Sequence, residues 1–155
     1  MDNSDTTPKP FRLQGVIGIV SMSINELANA SKHQLQCVEI RADLLLQAGN
    51  SAGELLDIVC EAKAQGLATL FTLWHPSRRG VFAGSENERV DISQGALDTG
   101  ANVVDLEWDT QVAKQLLAQG EHLNLSYHDF KGIPTKSELS ALTQSMSAIS
   151  AVVRG

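Results

Sequence analysis

Apolar residues recur along this chain in two rhythms that take turns. Short apolar or alternating runs, bounded by turn residues, are followed by longer segments with apolar positions three and four apart. Gly15 to Met22 is a near-continuous apolar run, as expected of a strand buried on both faces. Cys37 to Leu44 alternates, which predicts a second strand with Glu39, Arg41 and Asp43 on one face. Ala68 to Leu73, Val103 to Asp109 and Leu123 to His128 predict three more. In the last of these, Leu123 and Leu125 share one face, and Asn124, Ser126 and His128 share the other.

Helical patterns fill the intervals. Ser23 is the expected cap of a short first helix, Ser51 opens a second that stops at Gly66, and Ser85 or Glu86 opens a third that stops at Gly100. Thr110 and Thr135 are the expected caps of two more. Ala151 to Gly155 reads as the first half of a sixth strand. Strands alternating with helices every thirty residues or so imply βαβ units and a parallel sheet. A doubly wound sheet and part of a (β/α)8 barrel both fit. Gly15-Val16-Ile17-Gly18 lies within a strand, so it is no dinucleotide fingerprint, and no GxxxxGK[ST] occurs.

Composition narrows the function classes. A chain of 155 residues is normally one domain able to bury a core. Its formal net charge of −6, without a basic stripe, argues against a nucleic-acid partner. No apolar run is long enough to span a membrane. Residues 1–12 are polar and proline-bearing and read as a disordered leader ahead of one domain, 13–155. Cys37 and Cys60 sit in apolar stretches without metal-ligand spacing, as reduced buried thiols of a cytoplasmic protein do.

Ligands sit at the C-terminal ends of parallel strands. There the chain collects Ser21, Glu39 with Arg41, His75, Asp105 with Glu107, and His128. Each has a plainer explanation: Glu39 and Arg41 pair with one another, the acids cap helices, the histidine is satisfied in a core. A shared polar pocket accounts for all of them together, since each unsatisfied buried polar group would cost about 1–3 kcal/mol. The four histidines form no HxxxH or HExxH, and no GxSxG elbow occurs. General acid–base chemistry by His128 on a substrate held by Arg41 remains.

Ile19-Val20-Ser21-Met22, Val38-Glu39-Ile40-Arg41-Ala42-Asp43, Gly80 to Arg89, Val104-Asp105-Leu106-Glu107 and Ser126-Tyr127-His128-Asp129-Phe130 resemble, in that order, type I 3-dehydroquinate dehydratase. The resemblance implies an α/β fold, a partial (β/α)8 TIM barrel of about five and a half βα units. It implies a lyase of the shikimate pathway and aromatic amino acid biosynthesis, converting 3-dehydroquinate to 3-dehydroshikimate through a lysine Schiff base. No metal or organic cofactor is implied. By motif match His128 takes the catalytic general-base position, for which an imidazole's ordinary pKa of roughly 6.5 is suited. Ser21, Glu39 and Arg41 take substrate-binding positions.

The departures are specific. Trp74 falls where the family has a substrate-binding arginine after strand three, and Arg78 where it has a glutamate. The strand-six lysine position is most nearly Arg154, and a guanidinium offers no neutral amine to a ketone. Strands seven and eight are not represented, so open barrel edges are expected, with poor folding alone, aggregation or pairing into a homodimer as the outcomes. The chain is therefore expected to be inactive by itself. The alternative is a non-catalytic relative that keeps a carboxylate-binding pocket.

Overall fold

The computed structural model describes residues 15–119 and 122–153. The expected leader, Gly120, Arg154 and Gly155 lie outside them. Five parallel strands form one sheet in sequential order: β1 Ile17–Val20, β2 Cys37–Arg41, β3 Ala68–Thr72, β4 Val103–Glu107 and β5 Leu123–Ser126. Between and after them run α1 Glu26–Lys32, α2 Ala42–Gln47, α3 Ala52–Ala64, α4 Glu86–Thr99, α5 Gln111–Leu116 and α6 Lys136–Val153. Sequential order with a helix after each strand is the connectivity of a (β/α)8 barrel, here part of one.

The two faces of the sheet differ in chemistry. Val20, Val38, Ile40, Phe71, Val104 and Leu106 are buried on one side, in a core shared with Leu55, Ile58, Val59 and Ala62 of α3 and Val112 and Leu116 of α5. Register fixes the other face. Ile19, Glu39, Leu70 and Val103 lie in one row, Arg41, Thr72, Asp105 and Asn124 in the next, and Glu107 pairs with Ser126 beyond them. The polar rows lie at the C-terminal ends.

Local chemistry explains the helix starts. Ser51 and Ser85 each close a reciprocal capping box, with Glu54 and Glu88 respectively. Thr110 accepts from the Ala113 amide, and Thr135 from that of Glu138. Gly66 and Gly100 have positive φ (73° and 92°), the left-handed turn that ends a helix.

Four expectations are corrected. Ser23 is not the side-chain cap of α1; the Glu26 carboxylate instead accepts the amides of Ser21, Met22 and Ser23, at 2.7, 2.7 and 3.3 Å. β2 ends at Arg41, and Ala42–Gln47 is a helix, so Asp43 leaves the strand and turns back on Arg41. Asp109 likewise sits past β4 in a left-handed turn (φ 60°), exposed and paired with Lys114 at 3.0 Å. Ala151–Val153 continues α6 and starts no strand, because no glycine or proline interrupts the run from Lys136. Cys37 is buried as expected, but Cys60 is exposed on α3.

Candidate active site

The C-terminal ends of β2, β3 and β5 converge on Trp74. Thr72 ends β3, and the chain leaves the sheet through Leu73 into a loop closed by a short 3-10 turn, Pro76–Arg78. Gly80 is required there, since a Cβ at that position would lie 2.1 Å from the Trp74 carbonyl oxygen. The loop presents the half-buried Trp74 indole to three neighbours. The Arg41 guanidinium lies 4.6 Å from its ring centre, and the His128 ring centre lies 4.7 Å away, tilted by 54°. Its Nε1–H donates to Asp105 at 3.3 Å. Asp105 also accepts from Asn124 (2.6 Å) and Ser126 (2.8 Å), so the acceptor that orients the indole is itself held by β5.

Arg41 is oriented from the opposite side. Its Nε and Nη2 each donate to Asp43, at 3.0 Å, in a bidentate pair with a fully buried carboxylate. These bonds raise its already high pKa, against the opposing effect of burial. The sequence left a Glu39–Arg41 ion pair open, and the structure gives that partner role to Asp43. Glu39 lies on the same face two residues earlier and makes no hydrogen bond among the described residues. It interacts with Arg41 through its charge, and it adds to burial in raising the Cys37 thiol.

His128 sits two residues beyond β5, not on the strand as the alternation suggested. Its carbonyl accepts from Arg78 Nη1 at 2.9 Å, and its ring stacks on Phe130 at 5.9 Å. Arg78 also lies over Tyr127 (5.2 Å), and Arg79 over Phe130 (4.2 Å). Arg78 thus ties the β3 loop to the β5 loop. Ser21 follows β1, where its amide is held by Glu26, and no contact joins it to Arg41 or His128 among the described residues. Burial raises the Glu26 pKa, but its three backbone hydrogen bonds outweigh that and leave it below the usual value.

Glu107, grouped with Asp105 in the sequence, does different work. It is buried against Arg89 of α4, and one oxygen also accepts the His75 amide at 3.1 Å. Arg89 donates to the Leu73 carbonyl (3.1 Å), with Glu86 3.0 Å from its Nε in an ion pair without hydrogen-bond alignment. Glu107 Oε1 and Thr72 Oγ1 are buried without a partner among the described residues. A cavity of about 470 Å³ lies elsewhere, between β1 and α1. It is lined by apolar residues with Glu26, Asn29 and His33, and it holds none of these groups.

The sequence profile of the type I 3-dehydroquinase family matches residues 17–154. The chain belongs to that family. It is 31% identical over 116 residues to 3-dehydroquinate dehydratase of Dehalococcoides mccartyi, covering 70% of this chain and 46% of that enzyme. Over 90 residues it is 36% identical to the Desulfotalea psychrophila enzyme, covering 53% of this chain and 40% of the relative. The chain thus spans about half the length of these relatives. Among solved structures, the Clostridium difficile type I 3-dehydroquinate dehydratase with covalently modified comenic acid superposes with a TM-score of 0.68 at 17% identity, over 86% of this chain and 58% of that one. The Aquifex aeolicus enzyme gives 0.67 at 20% identity, over 87% and 63%. At those identities the superpositions speak to fold alone, and the fold is a dehydroquinase-type barrel in part.

Against the family pattern, Trp74 and Arg78 fill the arginine and glutamate positions of the β3 loop with a ring and a cation. The sequence flagged both as departures. It did not show that they join Arg41 to His128, nor that Arg89 and Asp43 are the buried partners beneath. A strand-end Asp-Leu-Leu-Leu without a turn signal was the available hint that Asp43 opens a helix. Among the described residues no lysine stands on a strand: Lys32, Lys63, Lys114 and Lys136 are helical, and Lys131 lies in the loop after β5.

Proposed function

We propose that this chain carries the carboxylate-binding and proton-transfer side of a 3-dehydroquinate dehydratase site, and that it binds 3-dehydroquinate without turning it over. The observation that supports this most is the shared contact of Arg41 and His128 with one indole, at the strand ends of a dehydroquinase-family chain. Asp43 occupies Nε and Nη2 of Arg41, which leaves Nη1 for the substrate carboxylate. The His128 ring takes the proton from the carbon beside the ketone, and Glu39 and Ser21 supply further polar contacts. The family reaction also needs an amine that forms a Schiff base with the ketone, and no strand lysine offers one among the described residues. The reading carries with it a cytoplasmic location, a small-molecule ligand, and no metal, organic cofactor or nucleic acid.

The test is titration of the purified chain with 3-dehydroquinate, followed by ultraviolet detection of the conjugated product and by mass analysis after borohydride. Saturable binding that is lost in Arg41→Gln, with no product and no adduct, is the expected result. No binding would refute the pocket, and turnover would refute the inactivity. Trp74 and Arg78 favour a second reading, a non-catalytic relative that keeps the carboxylate pocket. A borohydride-trapped adduct would sink that one.

A further inference from the structure

We infer that Trp74 makes the Arg41 site selective for a planar, conjugated ring carboxylate over a puckered, saturated one. The inference rests on the assignment of Arg41 as the carboxylate-binding group and adds a ligand class to it. Three of the chain's aromatic side chains, Trp74, Tyr127 and Phe130, gather at the ends of β3 and β5, and each has a guanidinium against it, from Arg41, Arg78 and Arg79 in turn. Tyr127 and Phe130 remain 37% and 42% exposed, so their surfaces are not spent on the core.

Trp74 is pinned more firmly than a loop residue usually is. Asp105 holds its Nε1–H, Asn124 and Ser126 hold Asp105, and Gly80 brings the loop backbone close behind it. A flat π surface fixed beside a cation, itself fixed by Asp43, is organised before any ligand arrives. A carboxylate on Arg41 Nη1 places its ring near that indole. A conjugated ring can stack on it, with the offset or edge-on geometry aromatic pairs prefer. A saturated ring of equal charge meets the same surface with hydrogens above and below its mean plane and gains only dispersion contact. Where the family places an arginine suited to hydroxyl and carboxylate oxygens, this chain offers a ring face instead.

The probes are benzoate and cyclohexanecarboxylate, which match in charge and carbon count and differ in planarity. Dissociation constants are read by NMR on the full chain, from the two indole N–H signals that Trp74 and Trp108 provide. Benzoate is expected to bind roughly three- to tenfold more tightly, the range aromatic pairing supplies. Trp74→Ala is expected to bring the ratio close to one, Trp74→Phe to retain most of it, and Arg41→Gln to abolish binding of both. Equal affinity in the unaltered chain overturns the inference without recourse to any variant. If 3-dehydroquinate binds through Arg41 while the two probes do not differ, the selectivity fails and the proposed function survives. If no carboxylate binds at all, both fail. If benzoate is preferred and 3-dehydroquinate is ignored, the selectivity stands and the dehydroquinate reading falls.

Discussion

Replacing Arg89 by methionine removes the cation that joins α4 to the exits of β3 and β4. Arg89 and Glu107 side chains are each 2% exposed, so neither charge is offset by solvent. With the guanidinium gone, Glu107 keeps one hydrogen bond, from the His75 amide at 3.1 Å, and its Oε1 has none. The Leu73 carbonyl loses its 3.1 Å donor, and Glu86 loses its partner. Removing one member of a buried ion pair costs about 3–5 kcal/mol, mainly through the charge left behind. Against a typical domain stability of about 5–15 kcal/mol, that is enough to unfold a large share of the population.

Urea denaturation followed by far-ultraviolet circular dichroism measures this effect. The midpoint is expected to fall while the slope holds, so that the shift reads as stability. Arg89→Met combined with Glu107→Leu separates the stranded charge from the lost packing. The double variant is expected to recover much of the loss, since buried pairs exchanged for apolar side chains are often neutral or better. If Arg89→Met alone costs under about 1 kcal/mol, or the double variant is no more stable than the single one, the buried pair is not what secures the base of the site.

The remaining predictions concern the two loops nearest that base. Glu26→Gln is expected to destabilise the chain near neutral pH, because the three amides of Ser21, Met22 and Ser23 lose a charged acceptor. The folded carboxyl lies below its unfolded value of 4.5, so its contribution is present above that pH and lost as pH falls through the folded value. Urea midpoints of the two proteins should therefore converge in acid, and a constant gap would count against the cap. Gly80→Ala places a Cβ 2.1 Å from the Trp74 carbonyl oxygen. The loop must shift, at a cost of about 1–3 kcal/mol, with a weakened indole-to-Asp105 hydrogen bond. An unmoved Trp74 indole N–H resonance would refute the proposed packing.

The layout of strands and helices was legible because it rests on local signals. Alternation and apolar runs mark five strands, and Ser51, Ser85, Thr110 and Thr135 cap the helices that they were expected to cap. The failures have a common cause: continuing a period where the backbone changes state. Asp43 continues the alternation of Glu39 and Arg41, and Asp109 that of Asp105 and Glu107, yet β2 and β4 end before them. The sequence has no way to mark such a switch when no glycine or proline stands at it. Val152 and Val153 have strand propensity, but two residues cannot overrule a helix already propagating from Lys136.

The candidate site shows a different limit. Arg41 and His128 were legible as residue types at strand ends, but what binds them together is not a sequence-local property. Trp74 is 33 residues from one and 54 from the other, and its meeting with both depends on how far the β3 loop rises before Gly80 folds it back. Against a family pattern, the substitution of arginine by Trp74 reads as a loss, because one hydrogen-bonding group disappears. In three dimensions it is also a gain. The indole replaces the hydrogen-bonding reach of a long, mobile cation with a fixed surface, and Arg78 spends its charge on the His128 carbonyl instead of on solvent. A change that removes contacts to an oxygen-rich ligand while stiffening the groups around it alters what the site prefers. It need not abolish binding, and the paired carboxylate titration separates those two outcomes.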